Sequence, residues 1–216
     1  MNTSSKIYPI GVSVFFLIFS PLVHASPSQI SEIPSGGIWP TFVITKVIPA
    51  PPIAVAATFW ECERSPEYVP NCISVQRVKD TGTVVVANYR LGMPFFLSDE
   101  LYQSTNHIEL IPSPLGNSYK ISWVVPTSTY SDGARGSILI EPTDSTGASS
   151  KVTYRNLARP TSHFAKLLKR KASQESAASI DALDIQTVKE FHSKSSELDA
   201  EIFRINALFP VSPTPH

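Results

Sequence analysis

Between residues 160 and 192 the chain has no Gly and no Pro after its first position, and Phe164, Leu168, Ala172, Ser176, Ser179 and Leu183 recur at three- and four-residue steps. Lys166, Lys169, Arg170, Ser173, Asp181 and Asp184 fall on the other side, so the spacing predicts a long helix with one face buried. That face is large at its ends and small in its middle. A helix that only fills a core favours large aliphatic residues, because voids forfeit packing energy. Ala172, Ser176 and Ser179 leave room, and the stripe reads as one wall of a cavity; an ordinary core helix with propensity-driven alanine is the alternative. The stripe ends near Leu183. Thr187, Val188 and Phe191 lie on a different face, so the second half of the helix is expected to hold the segment C-terminal to it.

Upstream the period changes. Residues 39–48 alternate, with Phe42, Ile44 and Lys46 on one side and Val43, Thr45 and Val47 on the other, which predicts a strand that Pro49, Pro51 and Pro52 end. Pro52 suits a helix start, where its missing N–H costs nothing, and 53–60 reads as a short apolar helix, followed by a second short turn or helix at 66–70. Six strands follow at 73–79, 83–91, 101–111, 119–125, 136–141 and 151–158. Their separators, including Asp80-Thr81-Gly82 and Asp132-Gly133, carry turn chemistry, so the strands form an antiparallel meander. Such a sheet must bury one face, and the long helix is the largest element available to cover it.

After an interruption at 193–196, Leu198, Ile202, Ile205 and Phe209 again recur at helical spacing, before a Pro-rich tail from Pro210. This extension, 193–216, needs a partner for its apolar face. Packing back on the domain is the first expectation; a protein partner met through Leu198, Ile202, Ile205 and Phe209, or a transient membrane contact, are the alternatives. Glu197, Asp199 and Glu201 argue against an anionic membrane.

Length and composition allow one core with appendages: 216 residues, 42% of them hydrophobic. Lys+Arg and Asp+Glu balance at 18 each, so nothing in the charge points to nucleic acid. The first segment has a different logic. Lys6 opens it, 10–19 is an apolar stretch of signal-peptide length, and Val23-His24-Ala25 ends it with a small-residue cleavage pattern. The expected divisions are a signal peptide at 1–25, a Ser/Pro/Gly-rich linker at 26–37 and a folded domain at 38–192, in a protein exported to a periplasm or beyond the cell. Export changes the reading of Cys62 and Cys72, which flank a short Pro-containing segment: in an oxidising compartment a disulfide is expected. Two buried thiols are the alternative. A metal site lacks further ligands, since His107 and His163 are remote in sequence.

No catalytic motif stands out. There is no Gly-x-Ser-x-Gly, His-Glu-x-x-His, Walker loop or dinucleotide fingerprint. His107 and Glu109 share a strand face and would make an acid/base couple if that face met a cavity; the competing reading is a polar outward face. Tyr119 and Trp123 share parity with Ile121 as candidates to line the cavity, an ordinary packing role being the alternative; Tyr154 shares parity with Val152, and Arg155 lies on the alternate face.

Several short stretches in a fixed order carry a family resemblance. They are Ile48-Pro49-Ala50-Pro51-Pro52, Tyr68-Val69-Pro70-Asn71, Met93-Pro94-Phe95-Phe96-Leu97-Ser98-Asp99, Ile121-Ser122-Trp123, and Val152-Thr153-Tyr154-Arg155 ahead of Pro160. Over about residues 41–192 the chain resembles the START-like, or Bet v 1-like, helix-grip superfamily, close to the polyketide cyclase/dehydrase and lipid-transport family. At Asp99-Glu100 it departs from the Arg-Asp pair of many relatives, so no role passes from that arginine. The resemblance implies an α+β helix-grip fold: a curved antiparallel sheet of about seven strands around a long C-terminal helix, with two short helices after the first strand. It implies a hydrophobic small-molecule partner (lipid, sterol or polyketide-like) held without a cofactor between sheet and helix, against Tyr119, Trp123, Phe164, Leu168, Ala172, Ser176, Ser179 and Leu183. The superfamily holds binders and enzymes. With no catalytic constellation in view, a carrier is the leading expectation and a cyclase or aromatase the alternative.

Overall fold

The computed structural model describes residues 27–93, 97–161 and 165–210. The expected signal peptide, Phe164 and the end of the Pro-rich tail lie outside them.

Eight strands form one curved antiparallel sheet, β1 (Gln29–Ile33), β2 (Thr41–Ile48), β3 (Cys72–Asp80), β4 (Val84–Leu91), β5 (Glu100–Ser113), β6 (Gly116–Val125), β7 (Ser131–Pro142) and β8 (Ser150–Pro160). Their spatial order is β1-β2-β8-β7-β6-β5-β4-β3. The meander from β3 to β8 is the one the alternation predicts, and β2 closes on β8. Between β2 and β3 lie helix α1 (Pro52–Trp60), with Pro52 in its first turn, and a 3-10 segment, Cys62–Glu67. Asn71, in the left-handed region at φ 62°, then turns the chain into β3. Helices α2 (Ala165–Ser193) and α3 (Ser196–Leu208) complete the fold.

Register sets what the concave face presents. Ile108, Ile121, Ile138, Tyr154 and Ile44 pair successively across β5, β6, β7, β8 and β2. All but Tyr154 are fully buried. Helix α1, with Ala54, Val55, Ala56 and Ala57 buried, packs on β6 and β7. Its small residues let the helix backbone approach the sheet.

The structure departs from the sequence expectations in four places. The segment expected to be a linker carries β1, an exposed edge strand paired to β2, which makes the sheet one strand wider than expected. The short helix after α1 begins at Cys62 rather than near Pro66. Cys62 and Cys72 are free thiols: Cys62 packs into the core beneath the 3-10 segment while Cys72 opens β3, so no disulfide joins them. Finally, α2 is rotated from its expected setting. Leu168 is 38% exposed, whereas Ser173, Ala177, Ile180, Leu183, Asp184 and Thr187 are buried. The cause is Lys46, whose inward-facing ammonium draws Asp181 and Asp184 toward β2.

The extension folds back, as first expected. Leu198 and Ile205 of α3 are buried in the core, against α1, and Ile202 and Phe209 are partly buried beside them. Of the four residues offered as an alternative partner-protein surface, Leu198 and Ile205 are thus used inside the chain. Ser195 caps α3, accepting from the Leu198 N–H, and Leu208 lies over Gly82 in the β3–β4 turn.

Candidate functional site

The concave face between α2 and the central strands is aromatic. Trp123 on β6 lies 5.2 Å from Tyr154 on β8, ring centre to ring centre, and 6.0 Å from Phe59 of α1. Tyr89 on β4 stacks on Tyr102 of β5 at 5.0 Å, with the rings within 6° of parallel. Gly136 pairs with both Trp123 and Asn156 across the ladder, and a Cβ there would run into the Trp123 ring. The glycine thus lets the indole lie across β7. These five rings are half-buried. Yet burial pushes the phenol pKa values of Tyr89, Tyr102 and Tyr154 well above the ordinary tyrosine range. The rings together form a continuous aromatic surface on the concave side of β4, β5, β6 and β8.

Opposite this floor, the first half of α2 is small. Ser173 and Ala177 are buried and Ala172, Ser176 and Ser179 half-buried. The serine hydroxyls donate back to their own helix, Ser173 to Arg170, Ser176 to Ala172 and Ser179 to Glu175, each at 2.9 Å. They therefore offer methylene surface and little free polarity. Helix α2 comes closest to β2, α1 and β1. A solvent-open crevice of about 500 Å³, lined by Asn71, Cys72, Ile73, Gly92, Met93 and Lys171, opens between the start of β3, the end of β4 and α2. Its volume falls in the range of small-ligand sites.

The polar groups fall into two classes. Lys46 Nζ lies 2.6 Å from Asp181 and 3.0 Å from Asp184, and the Ser28 hydroxyl also donates to Asp181. Burial works to lower the Lys46 pKa, but the two carboxylate partners outweigh it and the net shift is upward. Burial pushes Asp184 up despite Lys46; burial acts on Asp181 in the same direction, but hydrogen bonds from Lys46 and Ser28 hold it below the usual range. Arg77 on β3 is held by Glu61 at 2.6 Å and Asp80 at 2.7 Å, and Arg204 of α3 reaches the same Asp80 at 2.7 Å. The uncharged class is less complete. The Asn156 amide oxygen, the Trp60 indole N–H and the Thr187 hydroxyl are buried without hydrogen-bond partners, as are Nε of Arg77 and Oδ2 of Asp184 among the charged groups.

The sequence-predicted residues do not converge on one place. Trp123, Ala172, Ser176 and Ser179 lie at the aromatic floor or on the helix half above it. Tyr119, 5% exposed, faces inward farther along β6, beside a second crevice lined by Pro52, Ile53 and Leu115. Leu183 is fully buried in the core. Tyr89, Tyr102, Asn156 and Gly136 escaped sequence reading, although the alternation of β4 and β5 would have put both tyrosines on the inward side. His107 and Glu109 stand 3.7 Å apart on the convex face, 47% and 40% exposed at their side chains, with Lys120 beside Glu109. The outward parity of β5 removes them from the cavity. Among the described residues no His, Cys, Asp and Glu group has a metal-binding arrangement. Burial pushes the Cys72 thiol up to about 11 and raises Cys62 as well, which keeps both protonated and poor nucleophiles.

No family model matches the chain, and no curated protein matches it. Solved structures do. Human STARD10 superposes with a TM-score of 0.60 over 74% of this chain and 68% of its own, at 14% identity. A STAR-related lipid transfer protein from Xanthomonas axonopodis gives 0.58 over 75% and 99%, also at 14% identity. The Zhui aromatase/cyclase from Streptomyces sp. R1128 gives 0.57 over 72% and 97% at 11% identity. At such identities the likeness is one of fold. The chain has the START-like, Bet v 1-like helix-grip fold.

Proposed function

We propose that this chain is an exported carrier of a hydrophobic small molecule, held between the concave sheet and the first half of α2. The observation that carries the reading is the aromatic floor of Phe59, Tyr89, Tyr102, Trp123 and Tyr154 set against a helix half with small side chains. A floor of this kind offers apolar area with few polar anchors, the usual makeup of a ligand site. Lipid transfer and aromatase/cyclase proteins among the structural neighbours add support at the level of fold. The convex placement of His107 and Glu109 weighs against acid/base catalysis by that pair. Export rests on the charged start, apolar stretch and small-residue cleavage pattern of residues 1–25.

Native mass spectrometry of gently purified protein, followed by organic extraction, tests carriage. A bound apolar molecule is expected. A bare chain that also takes up no fluorescent lipid or sterol would count against the reading. Fusing residues 1–26 to a reporter active only outside the cytosol tests export, and the fusion is expected to be active.

A further inference from the structure

A closed ring of charge joins α3 to the rest of the chain. Arg77 on β3 reaches Glu61, the residue that ends α1, at 2.6 Å and Asp80 at 2.7 Å. The same Asp80 oxygen receives Arg204 of α3 at 2.7 Å, and Arg204 turns back to Glu201 at 2.6 Å. Signs alternate along Glu61, Arg77, Asp80, Arg204 and Glu201, but five members cannot alternate all the way round, so two like charges meet where the ring closes. They are Glu61 and Glu201, whose carboxyls are hydrogen-bonded to each other. A carboxylate has no donor, so that bond exists only with a proton on one of the two. The contact is shielded: the Glu201 side chain is 10% exposed and that of Glu61 25%. The groups around it do not remove the need for the proton. Glu63 of the 3-10 segment adds another acid, 3.5 Å from Nε of Arg77, and Cys62 faces Glu61, Glu63 and Arg77 as a protonated thiol. Four carboxyls thus share two guanidiniums among the described residues of the cluster. Burial raises the Glu61 pKa above its ordinary 4.5, and Glu201 adds to it, against the pull of Arg77 and Arg204.

We infer that α3 is a proton-linked strap: a proton held between Glu61 and Glu201 keeps the helix locked on α1 and β3, and its departure loosens the helix. Once both carboxyls are ionised, like charges face each other where little water reaches them, and each arginine is already committed to Asp80. Glu61 is fixed at the end of α1, so the relief available is for α3 to lift Glu201 away. Lifting uncovers Leu198 and Ile205, which are buried against α1. The Glu61 contribution is fully present below 4.5 and is lost as pH rises through the raised folded pKa. Asp80 runs the other way. Burial works to raise it, but the Gly82 N–H and Arg77, with Arg204 beside them, hold it below its ordinary 3.8, so its contribution is present above that value and is lost as pH falls through the depressed one. The strap is therefore tightest in mildly acid solution and slackens as pH rises.

Hydrogen exchange of the full chain tests this, read by mass spectrometry on peptides from 196–208 and corrected for the intrinsic pH dependence of amide exchange. The series runs from pH 4.5, the ordinary glutamate value, up to about pH 8. Protection of α3 is expected to fall by about fivefold or more across the series, and that of β6 and β7 by clearly less. Glu61→Gln and Glu201→Gln each keep a hydrogen-bonding group at the contact and cannot ionise, and each is expected to flatten the α3 profile. Asp184→Asn, which removes the raised carboxyl of α2, is expected to leave the α3 profile as it is. A profile that is flat in the native chain overturns the inference, and so does one that stays as steep in the glutamine variants. Equal loss of protection in β6 and β7 also overturns it, because α3 would then come free only with the whole fold. Urea unfolding confirms that the variants are folded, and if one of the two glutamine variants is not, the other decides.

Discussion

Lys46 is on the inward side of β2 with Phe42 and Ile44, and its side chain is 4% exposed. An ammonium in that position is tolerable only because two carboxylates meet it. Asp184, 2% exposed, depends on Lys46 in return, whereas Asp181 keeps contact with water at 41%. Removing one partner of a buried pair leaves an uncompensated charge, a loss of about 3–5 kcal/mol in comparable cases. Lys46→Met is therefore expected to destabilise the chain by about 3 kcal/mol in urea unfolding, and adding Asp184→Leu should recover much of that. Asp184 also carries a pH signature. Its folded pKa lies above the ordinary 3.8, so its contribution is fully present below that value and is lost as pH rises through the raised folded pKa. Asp184→Asn cannot ionise. Relative to the native chain, the variant should gain stability as pH rises above the ordinary aspartate range and through the raised folded pKa, seen as urea midpoints that move in its favour; a constant difference would show that Asp184 does not titrate as its burial implies.

Among the elements, α3 is the addition that the grip fold alone does not require. It is held by apolar burial and by ions: Ile205 is fully buried, and Arg204 bridges Glu201 and Asp80. Ile205→Ala should cost about 3 kcal/mol through lost burial and the cavity left behind. Phe203, 77% exposed on the same helix, should tolerate Ala within about 0.5 kcal/mol. Equal effects at the two positions, measured by thermal and urea unfolding, would mean that α3 does not dock as described. The helix was legible in sequence because one face carries Leu198, Ile202, Ile205 and Phe209. The strands were legible where one face is buried, and β1 was not, because all five of its residues are exposed and only the ladder to β2 holds it. The rotation of α2 was illegible for another reason: it depends on Lys46, 135 residues from Asp181 in sequence. The site divides the same way. Parity along a single strand found Trp123, but the neighbourhood of Tyr154, Gly136 and Asn156 exists only once β6, β7 and β8 are in register.

At the scale of the molecule, α2 is fastened unevenly, and the unevenness falls where a cargo would have to pass. Its second half buries Ile180, Leu183 and Thr187, is pinned to β2 through Lys46, and binds Arg64 of the 3-10 segment through Glu190. Its first half buries only Ser173 and Ala177 among the described side chains. The ties there are exposed: Lys169 to Glu32 at 2.9 Å, and Asn71 to Glu175 at 2.9 Å. Exposed pairs of this sort contribute about 0–1 kcal/mol each, while the buried side chains of the second half contribute about 1.5–3 kcal/mol apiece. Local opening therefore starts at the first half, over the aromatic floor and next to the crevice at Asn71 and Met93, with the second half acting as the fixed end. Hydrogen exchange read by mass spectrometry should show amides of residues 168–179 exchanging at least tenfold faster than those of 180–192. Salt should widen that gap, since it screens Lys169–Glu32 far more than the buried Lys46 cluster. Uniform protection along α2 would mean that the helix opens only with the whole fold, and a cargo would then need another way in.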